Sequence, residues 1–174
     1  VLTIKENISL APYTTFGVGG PARYFVDVAT EGDLSEAIIF AKEHDLPFFI
    51  LGKSSNTLIG DDGFSGMVIR LEIKGYENFF HDEYVDLRVG AGEVWDECVS
   101  MAVENGWSGI ESLSGIPGSV GAAPVQNIGA YGRSIGDALS KVEVFDTKEK
   151  SIRIFSREEC NLSYRASIFK TEKG

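Results

Sequence analysis

Between Leu113 and Gly136 the chain reads LSGIPGSVGAAPVQNIGAYGRSIG: six glycines, two prolines, the amide pair Gln126–Asn127 and a single charged side chain, Arg133. In a protein whose residues are 24% charged, so long a run of small and apolar residues is not an ordinary solvated loop. Two arrangements ask for this composition. One is a cofactor lying against main chain, where glycines permit close approach and leave N–H groups aimed at an anion. The other is a buried crossing of two chain segments. The composition leaves both open.

With 174 residues and 43% hydrophobic content the chain can build one domain or two small subdomains with real cores. A domain of this size buries roughly 70% of its unfolded surface. No apolar run approaches the ~20 residues of a membrane helix, and no signal peptide opens the sequence. The expectation is therefore no membrane partner. The first residue is Val1, which points to a processed, trimmed or excised piece. Cys98 and Cys160 lie far apart without a CxxC neighbourhood, which predicts reduced, packed thiols in a cytoplasmic protein. The net charge of −10 argues against nucleic acid, whose binders need basic stripes to displace counterions. Acidic side chains spread through Glu31–Glu36, Asp61–Asp62 and Glu77–Asp86 read as solvated faces.

Local patterns divide the chain near Gly75. Arg23–Val28 reads as a strand. Thr30 with Asp33 resembles a helix N-cap, and Leu34, Ala37, Ile38 and Ala41 follow at helical spacing to about His44. Pro47 stops that helix, and Phe48–Leu51 is an apolar run suited to a buried strand, completing a βαβ unit. Its carboxyl end leads into Gly52-Lys53-Ser54-Ser55-Asn56-Thr57-Leu58, the place where open α/β units hold phosphate-bearing ligands, although such small polar loops are common. The spacing is neither a Walker A loop nor a GxGxxG fingerprint.

In the second half Tyr84–Gly90 alternates as a strand. Trp95, Cys98, Val99 and Ala102 share one face of a helix closed by Asn105-Gly106. Lys141–Asp146 and Ser151–Phe155 pair as a hairpin, and Ser156–Glu159 is a capping box for a short helix. The segment Leu162–Lys170 reads as irregular. Two α+β lobes, each with a glycine-bearing loop, suggest a ligand held between them. His44 and His81 lack partners at metal spacing, and no Ser/His/Asp constellation assembles. Arg165 stands out because Tyr164 and Phe169 give it a partly apolar wall, from which a guanidinium can clamp a carboxylate; a surface salt bridge is the plainer alternative. Tyr131 either covers a flat aromatic ligand or packs in a core. Lys170 reads as solvated.

Taken together, Thr14-Thr15-Phe16-Gly17, Leu51-Gly52-x-Ser54-Ser55-Asn56, Ile116–Gly132 and Tyr164-Arg165-x-Ser167-x-Phe169-Lys170 resemble, in order and spacing, the UDP-N-acetylenolpyruvoylglucosamine reductases (MurB). The resemblance covers nearly the whole chain, and its IPG…QNIGAYG block is the specific part, worded as in the type I subclass. It implies an α+β, two-lobed FAD-binding fold of the vanillyl-alcohol-oxidase type, with residues 1–74 as a first FAD-binding lobe and 75–174 as a second. It implies non-covalent FAD, with Leu51, Gly52, Lys53, Ser54, Ser55, Asn56, Thr57 and Leu58 receiving the pyrophosphate. Ile116, Pro117, Gly118, Ser119, Val120, Gly121, Ala122, Ala123, Gln126, Asn127, Gly129, Ala130 and Tyr131 would line the rest of the flavin. NADPH would be the hydride donor and a UDP-sugar enolpyruvyl ether the substrate, held by Tyr164 and by Arg165 as the catalytic arginine.

Two departures from the family pattern stand out. The family loop commonly reads Gly-x-Gly-Ser-Asn, whereas Ser54 takes the second glycine's place here, which serine can fill only if φ there is ordinary. The substrate domain of the family, with its serine proton donor and a second glutamate, would lie beyond Gly174, as would a further strand of the second lobe. The expectation is an FAD-binding portion without complete turnover. Rival readings are another flavin oxidoreductase of this fold acting on an alcohol or aldose, and a non-catalytic module retaining the fold.

Overall fold

The computed structural model describes residues 2–171. By its internal contacts the chain divides into two compact units, Val1–Lys74 and Gly75–Gly174. In the first unit, β1 (Lys5–Ser9), β2 (Pro21–Val28), β3 (Phe48–Leu51) and β4 (Phe64–Leu71) form one sheet in the order β1-β2-β4-β3. β2 and β3 each run parallel to β4, and β1 closes the other side antiparallel to β2. The central position of β4 follows from Met67, Val68 and Ile69, three consecutive residues without solvent exposure, as a strand covered on both faces requires.

The helix α1 (Glu31–Glu43) begins where the sequence marks it. Thr30 Oγ1 accepts the amide of Asp33, and the Asp33 carboxylate accepts the amide of Thr30 in return. Its buried stripe, Ala37, Ile38 and Ala41, packs on β2 and β4. A second cluster joins Leu10, Ala22, Phe25, Leu51 and Val68, with Tyr13 against Phe25 at a centroid separation of 4.5 Å. Two expectations need correction. β3 is an edge strand, so Phe49 and Ile50 are 38% and 39% exposed and only Leu51 is fully buried. The βαβ unit is also split, because β4 sits between β2 and β3.

The second unit contains the hairpin of β5 (Tyr76–Phe80) and β6 (Val85–Val89), the helix α2 (Trp95–Glu104), a two-residue pair β7 (Gly129–Ala130) and β8 (Arg133–Ser134), the hairpin of β9 (Lys141–Asp146) and β10 (Ser151–Ser156), and the short α3 (Ile168–Thr171). Trp95, Cys98, Val99 and Ala102 are the buried face of α2, and Gly106 takes the left-handed conformation (φ +73°) that ends it. The core of the unit is Trp95, Val99, Leu113, Ala123, Ile128 and Ile135, so four of its six members come from the glycine-rich stretch. The Ser156–Glu159 capping box forms, with Ser156 N donating to Glu159 at 2.8 Å and Glu159 N to Ser156 Oγ at 3.3 Å. No helix follows it, however. The chain makes only hydrogen-bonded turns there, and the helical residues come later, in α3. Cys98 and Cys160 are buried free thiols, and burial lifts the Cys98 thiol to about 11.

Candidate functional site

The loop after β3 leaves the sheet at Gly52. Ser54 is 7% exposed and holds φ +56°, the left-handed conformation that glycine takes without cost. The expectation of an ordinary φ at this position is therefore overturned. The loop keeps a glycine-like path and carries the strain, of order 1 kcal/mol for a side-chain-bearing residue. Thr15 Oγ1 donates to Lys53 O at 3.4 Å, tying the Thr14–Gly17 turn to the loop. The Lys53 ammonium lies 3.6 Å from Glu72, so its charge is already partnered. Among the described residues, the amides of Ser54, Asn56 and Thr57 make no hydrogen bond within the chain. N–H groups flanking a left-handed residue form the concave nest that suits an anion.

The glycine-rich stretch of the second unit falls into two parts of different build. Its first half is a buried crossing. Val120 N donates to Glu93 O and Gly121 N to Ala91 O, both at 2.9 Å, and Trp95 N donates to Gly118 O at 3.0 Å. A Cβ on Gly121 would stand 2.7 Å from Ala91 Cβ, so only glycine fits where the segments cross. The Trp95 indole donates to Leu113 O at 2.9 Å and pins the start of the stretch. Val120, Gly121, Ala122 and Ala123 thus spend their amides within the protein. Gln126 is half-buried.

The second half opens outward. β7 and β8 pair Gly129 with Ser134 and Ala130 with Arg133 around a two-residue turn. Tyr131 (φ +53°) and Gly132 (φ +78°) are both left-handed, the mirror-image turn that prefers Asn-Gly. Tyr131 is 92% exposed, which removes core packing as its role.

Arg165 sits at the tip of a second strained turn. Ser163 and Ala166 exchange backbone hydrogen bonds of 3.0 and 3.2 Å around Tyr164-Arg165, and Arg165 holds φ +55°. Lys170 is exposed as expected, but its ammonium donates to Arg165 O at 3.0 Å and braces the turn. Asn127 joins this turn to the hairpin: its Nδ2 donates to Ser163 O and its Oδ1 accepts the amide of Gly136, both at 3.0 Å. Ser167, buried, adds a hydrogen bond of 2.6 Å to Val125 O. The side chain of Asn127 is thus committed to holding the two turns together.

Between the hairpin and the Arg165 turn lies a cleft of about 510 Å³ within the second unit, lined by Asn127, Gly129–Ser134, Asp137 and Ser163–Arg165. From the residues singled out by sequence it gathers Asn127, Gly129, Ala130, Tyr131, Tyr164 and Arg165. Arg165 has no ion pair among the described residues, so the surface salt bridge is not its role there. Arg133, Asp137 and Ser163 join the lining without having been assigned to the site. The signal for Arg133 was its standing as the only charge in the run. Unlike its two guanidinium groups, the cleft's Asp137 is engaged, accepting the amide of Ser134 at 2.9 Å. The described residues contain no cluster of His, Cys, Asp or Glu able to hold a metal, and no helix long and apolar enough to cross a membrane.

The fold is of the FAD-binding, vanillyl-alcohol-oxidase type, as the comparisons show. Residues 22–154 match the family described as FAD binding domain, and the chain belongs to that family. It is 42% identical over 169 residues to a UDP-N-acetylenolpyruvoylglucosamine reductase of Thermobifida fusca, an alignment covering 97% of this chain and 48% of that protein. The crystal structure of the MurB reductase of Thermus caldophilus superposes with a TM-score of 0.77 at 34% identity, covering 96% of this chain and 57% of that one. A VAO-type flavoprotein of Myceliophthora thermophila shares the fold at 18% identity and a TM-score of 0.58, over 76% of this chain and 26% of its own. The chain spans about half the length of the curated relatives it matches.

Proposed function

We propose that this chain is the FAD-binding part of an NADPH-dependent reductase that converts UDP-N-acetylenolpyruvoylglucosamine to UDP-N-acetylmuramate for peptidoglycan synthesis. The observation that carries the reading is the placement of Arg165. A non-glycine residue is held left-handed at a turn tip, its guanidinium without an ion pair among the described residues, in the cleft that Tyr131 borders. Strain of this kind persists where the surroundings over-determine it, and it gathers at functional sites.

The residues present fit FAD. The loop from Leu51 to Leu58 would offer its diphosphate the amides of Ser54, Asn56 and Thr57, and Gln126, Gly129 and Ala130 in the wall from Ile116 to Tyr131 would support the remainder. When bound, FAD would supply the two-electron redox chemistry that links NADPH oxidation to reduction of the enolpyruvyl double bond.

Arg165 would hold the enolpyruvyl carboxylate through paired N–H donors and stabilise the negative charge that reaches it as the double bond is reduced. The exposed Tyr164 ring borders the same substrate. Lys170, Asn127 and the Ser163–Ala166 hydrogen bonds hold the backbone of the turn from which the guanidinium projects. The proton that completes the reduction is assigned, on the resemblance, to the part of the relatives' length that this chain does not span. The chain alone would therefore bind the cofactor without complete turnover. Its buried free thiols support a cytoplasmic setting.

The test is direct. Purified protein mixed with FAD and desalted is expected to keep a flavin band near ~450 nm that acid precipitation releases entirely into the supernatant. A colourless protein after FAD addition would overturn the reading.

A further inference from the structure

Arg133 is the one cleft cation that this reading leaves without a task. It is the only charged residue between Leu113 and Gly136, and it lines the same cleft as Arg165. Surface arginines commonly lie against a carboxylate, yet Arg133 has no ion pair among the described residues. The two carboxylates around it are already engaged. Asp137 accepts the Ser134 amide at 2.9 Å, and Glu111 accepts the Gly109 amide at 2.5 Å. Glu111's own amide and that of Gly109 hold its carboxyl below the ordinary value, and the Arg133 charge adds a smaller share.

The backbone beneath Arg133 is fixed. Its pairing with Ala130 closes the Tyr131-Gly132 turn, and Ser134 next to it begins a reciprocal capping box with Asp137. An exposed arginine with spare donors, rooted on a fixed backbone in a cleft of about 510 Å³, is arranged for an anion arriving from solution.

We infer that Arg133 is a second anion-holding residue of this cleft, taking a phosphoryl group of a nucleotide ligand that enters beside Arg165. The inference rests on the proposed function, which gives Arg165 the carboxylate and leaves phosphoryl oxygens as the ligand's other anionic atoms. A guanidinium suits them because its planar fork binds two oxygens at once, and the exposed Tyr131 hydroxyl on the adjoining turn can donate to a third. In the proposed reaction two ligands carry such groups, the nucleotide sugar through its diphosphate and NADPH through its phosphates.

The experiment uses the full-length, flavin-loaded protein that contains this chain, as wild type, Arg133→Gln and Arg133→Lys. Each is titrated calorimetrically with UDP and, separately, with 2′,5′-adenosine bisphosphate, and KM is measured for the nucleotide sugar and for NADPH. Arg133→Gln is expected to weaken one probe about tenfold or more. The KM of the matching ligand should rise further than kcat falls, and lysine should recover part of the loss. Weakening in the UDP arm identifies the sugar diphosphate, and weakening in the bisphosphate arm identifies NADPH. Unchanged affinity for both probes would overturn the inference, as would a loss that lysine does not relieve and that falls equally on kcat and KM. A wild-type protein that binds the probes but does not reduce the enolpyruvyl sugar would instead refute the proposed function, while the two probe arms still read Arg133.

Discussion

The two halves of the Leu113–Gly136 stretch carry three glycines each and put them to opposite uses. From Gly118 to Ala123 the glycines and alanines let one chain segment cross another, with amides donated to Ala91 and Glu93. From Gly129 to Ser134 the chain turns back on itself and presents Tyr131 and Arg133 to a cleft. In the first half glycine is needed for space, because a Cβ on Gly121 would meet Ala91. In the second it is needed for conformation, since Gly132 has open space around its α-carbon but φ +78°. Glycine content therefore marks close approach or a left-handed turn without saying which.

The contrast can be broken in four ways. The largest effect belongs to the side facing the cleft: Arg165→Ala in the full-length protein should lower the NADPH-driven reduction of the enolpyruvyl sugar by ~10²–10³. It should leave the flavin band in place. Steady-state assays reading unchanged turnover would remove Arg165 from the chemistry.

Next, Gly121→Val should cost about 3 kcal/mol in denaturant unfolding, as overpacking against backbone does. Gly132→Ala should cost only about 1 kcal/mol, through strain alone. Equal losses would show that the two halves do not differ as described.

Asn127→Ala would leave Ser163 O and the Gly136 amide without their partner, for a loss of about 2 kcal/mol. Because those bonds join the two turns, the variant should also slow turnover, whereas a purely local role would change melting temperature alone.

The smallest effect has the opposite sign. Ser54→Gly should stabilise the protein by up to about 1 kcal/mol by relieving the left-handed serine, and thermal melts should register it as a higher midpoint. Ser54→Ala, which keeps a Cβ, should bring no such gain.

Much of this arrangement was legible in the residues. The stripe of α1, the buried face of α2 and the β9–β10 hairpin follow from apolar spacing and capping residues, which act locally. β4 was missed although Met67-Val68-Ile69 is the kind of continuous apolar run that a central parallel strand shows. β5 could hardly be read at all, since every residue from Tyr76 to Phe80 is exposed. The left-handed backbones of Ser54, Tyr131 and Arg165 are invisible to propensity, because each residue type disfavours them and only tertiary contacts impose them. The bracing of Arg165 by Asn127 and Lys170 was hidden for a similar reason. A long-range hydrogen bond leaves no periodic trace.

The bond from Asn127 to Ser163 spans 36 residues of sequence, and the β9–β10 hairpin lies in that interval. Because the clamp fixes both ends of the interval, the hairpin tip at Thr147–Lys150 can lengthen or shorten over generations without moving the arginine. In mechanical terms the hairpin is a spacer hung between two anchored ends.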